Sequence, residues 1–115
     1  MQYALLIVGR NEPYAALSPE QRKQMYADHA AFGEKHGSVL RGGAELAYSP
    51  VKTVRPDGDE RTVTDGPFAE TAEGIGGWYL VEADDIDTAT EYAKQIPMLP
   101  ADHIEVRKVV TDQDR

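Results

Sequence analysis

The 115-residue chain carries 20 acidic and 12 basic residues, for a formal net charge of -8, and it contains no cysteine. A surface of this sign repels phosphate backbones and anionic lipid, so we expect neither a direct nucleic-acid partner nor a membrane partner. Without cysteine, a disulfide framework, a thiolate nucleophile and a thiolate-bound metal are excluded. No apolar run approaches the roughly 18 residues that span a bilayer. The length predicts a single domain. The chain begins like a strand rather than a leader, which favours a cytoplasmic location.

The first element predicted is a strand, and a helix follows it. Residues 3–8 form a short apolar run typical of a strand buried on both faces, and residues 9–13 end it with turn chemistry. Ser18, Pro19 and Gln21 then supply an N-cap, a first helical residue and the partner of a capping box. Gly37 predicts where this helix stops.

One face of the predicted helix carries two histidines. Met25, His29, Phe32 and His36 recur at helical spacing and therefore share a face. Because the rest of that face is apolar, we expect His29 to point toward a sheet.

The middle of the chain predicts extended structure and a hairpin. Residues 38–48 and 51–55 are extended, and Pro56 to Asp59 forms a turn. Residues 61–64 return as a strand that pairs with 51–55 and delivers Asp65.

The last third predicts a strand, a helix and a closing strand. Residues 75–83 are β-rich and apolar, and Ile86 begins an apolar face at helical spacing that Pro97 ends. Residues 103–110 alternate as a strand does, and residues 111–115 form a polar tail expected to fray.

This element order predicts a ferredoxin-like α+β sandwich with an inserted β-hairpin. One layer of helices covers only one face of a sheet, yet the strands look apolar on both faces. A second subunit is the simplest cover, so we expect a homodimer.

The stretch from Thr64 to Thr71 breaks the apolar patterning with residues suited to a site loop. Its order, Asp-Gly-Pro-Phe-Ala-Glu-Thr, resembles the signature of the DGPF group of YCII-related proteins. Similar matches occur in order across residues 1–110, among them the opening strand, the helix start at Ser18 and the segments 42–46, 76–80 and 104–107. The resemblance implies one YCII-related domain over residues 1–110, of dimeric α+β barrel type.

The resemblance also implies a site between the helical histidine, His29, and the motif aspartate, Asp65. Two positions depart from the pattern: Ala72 stands where a basic residue is usual, and Lys108 stands where proline is expected. Most members of the group have no established activity. A relative in the wider group is involved in eliminating halide from a chlorinated aromatic, and others appear beside alternative sigma factors, which makes a sigma-factor partner one expectation.

Two interpretations of His29 and Asp65 stay open. A carboxylate bonded to an imidazole fixes its tautomer and raises its basicity, so the pair suits general-base catalysis. Alternatively, His29 is a half-buried histidine satisfied by any acceptor, and Asp65 caps its own turn. A metal at His29 is disfavoured, since His36 is two turns away.

The remaining candidates are weaker. Phe68 and Trp78 are predicted to wall a substrate pocket or to belong to the core, and Glu70 to serve the site or to start a turn. Arg107 either reads an anion or, as we favour, forms a salt bridge with Glu105 on the same strand face. Minor candidates are Tyr14, Tyr26 and Tyr79.

Two functions fit these residues. The first is a small cofactor-independent lyase or isomerase that uses His29 and Asp65 to move a proton on a small organic molecule, without metal. The second is a non-catalytic dimeric module that binds a ligand or regulates a partner. A nucleophile elbow, a phosphate loop and a dinucleotide fingerprint are all missing from the sequence.

Overall fold

The computed structural model describes residues 1–66 and 73–115. Its strands are β1 (Gln2–Gly9), β2 (Leu40–Glu45), β3 (Lys52–Asp57), β4 (Glu60–Asp65), β5 (Gly74–Glu82) and β6 (His103–Lys108). Its α-helices are α1 (Asn11–Ala15), α2 (Pro19–Lys35) and α3 (Ile86–Ala93), and residues Asp112–Asp114 form a 3₁₀ turn. None of these helices is long and apolar enough to cross a membrane.

Four strands form an antiparallel sheet in the order β2-β5-β1-β6, and β3 pairs with β4 in a separate two-stranded sheet. The antiparallel sheets and few helices make a mixed α+β fold that is compatible with the ferredoxin-like class. The hairpin pairing predicted for residues 51–64 is confirmed, with Val54 opposite Val63.

The core lies between one face of the four-stranded sheet and the helices. Tyr3 and Leu5 of β1 and Val81 of β5 are buried on that face, where they meet Phe32 of α2 and Ala89 of α3. Alternate residues of a strand point to opposite faces. The other face therefore carries the half-buried side chains of Ala4, Leu6, Val8, Trp78 and Leu80.

The capping box of α2 forms as the sequence predicts. The Gln21 backbone N–H donates to Ser18 Oγ at 3.1 Å, and the Ser18 N–H donates to Gln21 Oε1 at 2.8 Å. These bonds satisfy donors that the first turn of a helix leaves free. They fix where α2 begins, and so which residues of the helix face the sheet.

Two local predictions were wrong. The segment after β1 was assigned to a turn, but Asn11–Ala15 is a short helix, because proline is tolerated in a first helical turn. The tail was expected to fray, but Lys108 donates to Asp114 Oδ1 at 2.7 Å and ties it to β6. Lys108 and the Thr111 N–H lower the pKa of Asp114 to about 2.

Candidate functional site

A cavity of about 310 Å³ opens between α2 and the edge of the sheet. Its walls come from α1, α2, β2, β5 and the segment that joins α3 to β6. The polar side chains in its lining are His29, Glu45, Asp102 and the tyrosines Tyr14, Tyr26, Tyr48 and Tyr79. Apolar walls with a few converging polar groups are typical of sites for small molecules.

His29 faces this cavity from the middle of α2, which confirms that its helix face points toward the sheet. The imidazole Nδ1 lies 2.7 Å from the Tyr79 hydroxyl of β5. Burial lowers the pKa of His29, while the charges of Glu45 and Asp28 and a hydrogen bond to the Pro97 carbonyl oppose that shift. Because the lowering prevails, the imidazole is neutral near pH 7.

Tyr79 is the partner of His29 in this hydrogen bond. Its ring packs against Phe32, with 4.9 Å between centroids, and burial raises its pKa. The hydroxyl therefore stays protonated near neutral pH and is able to donate to Nδ1 of His29. The pair places a neutral base next to a weak acid at the cavity wall.

A second polar group, the tyrosine–glutamate cluster of Tyr14, Tyr26 and Glu45, lies at the β2 edge of the cavity. The Tyr26 hydroxyl donates to Glu45 Oε1 at 3.1 Å and lies 2.9 Å from the Tyr14 hydroxyl. The hydrogen bond with Tyr26, burial and the Glu45 charge together raise the pKa of Tyr14. The cluster joins α1, α2 and β2 and keeps the Tyr14 phenol protonated.

Tyr48 and Asp102 complete the polar lining. The Tyr48 ring lies 5.4 Å from that of Tyr14, between centroids, and burial, with the charges of Asp102 and Glu45, raises the Tyr48 pKa. Asp102 Oδ2 accepts from the Leu99 N–H at 3.0 Å. This bond holds the carboxylate in place at the wall.

Asp65 lies at the end of β4, where its exposed carboxylate pairs with Lys52 of β3. It does not line the cavity that contains His29. In a single chain the described partners of the imidazole are the Tyr79 hydroxyl and the Pro97 carbonyl, and Asp65 is not among them. Coupling of His29 to Asp65 stays a prediction.

The other predicted site residues that the structure describes do not meet at one place. Trp78 contributes to the cavity lining, but its ring packs over Gly42, on the sheet face opposite Tyr79. Arg107 donates to Glu105 Oε1 at 3.0 and 2.8 Å, the salt bridge favoured from the sequence. Phe68 and Glu70 lie outside the described residues.

The described part of the chain contains no cluster of three or more histidine, aspartate and glutamate residues placed to hold a metal ion. His29 and His36 are engaged differently: His36 is buried, and its Nε2 lies 3.0 Å from Gln95 Oε1.

Sequence reasoning missed three of the polar residues at the cavity: Glu45, Tyr48 and Asp102. Glu45 was seen only as part of a segment typical of the family, and Asp102 lies just beyond Pro97, where the last helix was expected to end. No local pattern marks them. They line the same cavity as His29 only because β2 pairs with β5 and the segment after α3 folds back onto β1.

Comparison with known proteins assigns the chain to a family. The profile of the YCII-related domain matches residues 1–111. The chain belongs to the YCII-related family. This YCII-related protein is also 30% identical, over 99 residues, to an uncharacterized protein of Rhizobium meliloti (strain 1021), an alignment that covers 84% of this chain and 80% of that relative. The family has no established function, and the cavity is the strongest guide to one.

Proposed function

We propose that this YCII-related protein is a small cofactor-independent enzyme of lyase or isomerase type, with His29 as the general base. The observation that carries the proposal is the half-buried imidazole, neutral near pH 7 and hydrogen-bonded to Tyr79 in a cavity of small-molecule size. A general base must be unprotonated at the working pH, and the lowered pKa of His29 meets that requirement near neutral pH.

In the proposed reaction a substrate C–H proton passes to the Tyr79 oxygen while the hydroxyl proton passes to Nδ1 of His29. The electron pair of the broken C–H bond stays on the substrate. There it either expels a leaving group, which gives lyase chemistry, or shifts a double bond, which gives isomerase chemistry. The imidazolium holds the proton and returns it through the same hydroxyl. Positioning a base and a shaped cavity is enough for such steps.

Tyr79, rather than Asp65, is the group that we propose orients His29 within one chain. Its hydroxyl is 2.7 Å from Nδ1, whereas the Asp65 carboxylate pairs with Lys52. Phe68, Glu70, Trp78 and Arg107 remain proposals as substrate contacts; of these, Trp78 contributes to the cavity lining, although its ring lies on the opposite face of the sheet.

The quaternary structure that we propose is a homodimer of the dimeric α+β barrel type, with β3 and β4 as the inserted hairpin. Its support is the second face of the four-stranded sheet, where Leu6 and Leu80 are only half-buried in the single chain. Apolar surface of this kind is normally covered in a stable assembly.

A non-catalytic ligand-binding or regulatory module is the second candidate. It is favoured by one observation: two protein groups already hold the imidazole of His29, the Tyr79 hydroxyl at Nδ1 and the Pro97 carbonyl, as in a static binding wall. The sigma-factor association implied by the family resemblance belongs to this candidate.

An NMR pH titration of the imidazoles separates the two candidates without knowledge of the substrate. The chain has three histidines, and His29→Gln assigns the resonance of interest. We expect His29 in the wild type to titrate below ~6.5. Tyr79→Phe removes a donor to the neutral imidazole and should raise the pKa of His29. Asp65→Asn is the control and should leave the pKa of His29 unchanged.

Three outcomes would change the proposal. If His29 titrates like a free imidazole and ignores Tyr79→Phe, the enzyme loses its mechanism and the binding module is favoured. If Asp65→Asn shifts His29 more than Tyr79→Phe does, Asp65 is the orienting group. Once a turnover assay exists, unchanged turnover in His29→Ala would exclude His29 as the base.

A further inference from the structure

The charges that line the cavity are of one sign. Glu45 and Asp102 contribute carboxylates, and the lining contributed by the described residues contains neither lysine nor arginine. His29, the one basic side chain in that lining, is neutral near pH 7 because burial lowers its pKa. A ligand in this cavity therefore meets a negative potential.

Glu45 is the carboxylate whose charge reaches the largest number of lining side chains. Both hydroxyls of the tyrosine–glutamate cluster approach the same oxygen, Oε1, at 3.1 Å from Tyr26 and 3.5 Å from Tyr14. Among the described residues Glu45 forms no ion pair. Its charge acts on His29, Tyr14 and Tyr48, which are spread along the cavity wall.

Aromatic faces lie beside this carboxylate. The rings of Tyr14 and Tyr48 are 5.4 Å apart and tilted by 49°. The Tyr14 ring already binds a cation, since the Arg22 guanidinium carbon lies 5.7 Å from its centroid. Electron-rich ring faces together with a carboxylate are the groups that recognise organic ammonium ions.

We propose that the cavity takes a small organic cation, with its ammonium group at Glu45 beside the rings of Tyr14 and Tyr48. The apolar body of the ligand extends along the wall toward Tyr79 and Met25. Carboxylate and phosphate ligands are disfavoured, because they would face Glu45 and Asp102 without a lining cation among the described residues. This inference names the ligand class of the site proposed above and rests on that cavity being the functional one.

Three probes of similar size test the proposed preference for an organic cation: 2-phenylethylamine, 2-phenylethanol and 3-phenylpropionate. Binding is followed by chemical-shift changes in the NMR spectrum of the full chain at low salt and pH 7.5. We expect the amine to bind about tenfold more tightly than the alcohol, as one desolvated charge pair predicts, and the acid to bind more weakly than both. Raising the salt concentration should reduce the preference for the amine.

Glu45→Gln and Glu60→Gln form a matched pair of variants. Both remove one negative charge, but Glu60 lies in the β3–β4 hairpin and not in the cavity lining. Glu45→Gln should bring the amine to about the affinity of the alcohol, and Glu60→Gln should keep the wild-type order. Two results would overturn the inference: an acid that binds as tightly as the amine, or a preference for the amine that survives Glu45→Gln.

The same spectra separate this inference from the proposed function. If the probes shift the resonances of His29 and Tyr79 but the acid is preferred, the ligand class is wrong and the site stands. If no probe perturbs residues of the cavity, the ligand class and the site both fail. His29→Gln should keep the preference for the amine while it removes turnover.

Discussion

Gly43 of β2 stands opposite Tyr79 of β5, so close that an added Cβ would lie 3.0 Å from the Tyr79 ring and 2.8 Å from the Trp78 carbonyl oxygen. The glycine lets the edge strand pass the aromatic ring that holds His29. We expect Gly43→Ala to lower the free energy of unfolding by about 1 to 3 kcal/mol, since the ring and the backbone carbonyl would both have to move. Chemical denaturation measures this change.

Gly42→Ala is the control, because a Cβ there meets the Trp78 ring at 3.7 Å, an ordinary contact. The displaced Tyr79 ring should also move the His29 resonance in Gly43→Ala and not in Gly42→Ala. Equal free energies of unfolding in the two variants would show that the close approach at Gly43 does not determine stability.

The lowered pKa of His29 predicts how stability depends on pH. Between the ordinary histidine pKa of ~6.5 and the lower folded value, the unfolded chain binds more protons than the folded chain. Stability contributed by the neutral imidazole is therefore present above ~6.5 and is lost as the pH falls. Urea denaturation should show a loss of stability as the pH falls below ~6.5 that is smaller in His29→Gln. A variant with the same pH profile as the wild type would contradict the prediction.

The Asp102 side chain occupies the space that a Cβ at Gly9 would need. A Cβ at Gly9 would fall 2.0 Å from Asp102 Oδ1, so Gly9→Ala must displace a carboxylate that accepts from the Leu99 N–H. We expect a loss of about 1 to 3 kcal/mol. In an Asp102→Ala background the same substitution should cost less, and a double-mutant cycle by denaturation measures the difference. If the effects of Gly9→Ala and Asp102→Ala on the free energy of unfolding are additive, the contact with Asp102 is not the cause of the loss.

The proposed homodimer depends on the second sheet face, whose centre carries Leu6 between Trp78 and Glu105 of the neighbouring strands. We expect sedimentation to give a dimer at micromolar concentration and Leu6→Arg to give a monomer, because a charge in a desolvated apolar interface is costly. Circular dichroism should show that the variant keeps its fold. Val54→Arg, in the exposed part of the hairpin, is the control. A wild-type monomer would refute the proposal.

Local signals predicted much of the fold. The capping residues Ser18 and Gln21 placed the start of α2, and helical spacing placed His29 on the inner face. The i,i+2 relation on one strand was enough to predict the bond between Arg107 and Glu105. Each of these contacts lies within one element or follows from its periodicity.

The site was harder to predict because its contacts are long-range. The hydrogen bond between His29 and Tyr79 joins residues 50 positions apart, and that between Tyr26 and Glu45 crosses from a helix to an edge strand. Their distances depend on the order and register of the strands. The sequence motif around Asp65 drew attention to the hairpin, but Asp65 does not line the described cavity.

The hairpin of β3 and β4 has a sheet of its own, separate from the four-stranded sheet. An isolated two-stranded ribbon is only marginally stable in water. Its backbone amides should therefore exchange with deuterium through local opening, in a faster class than the amides of β1 and β5. We therefore expect dynamics on two timescales in one small domain, with a slow-exchanging platform beneath His29 and a fast-exchanging arm that carries Asp65.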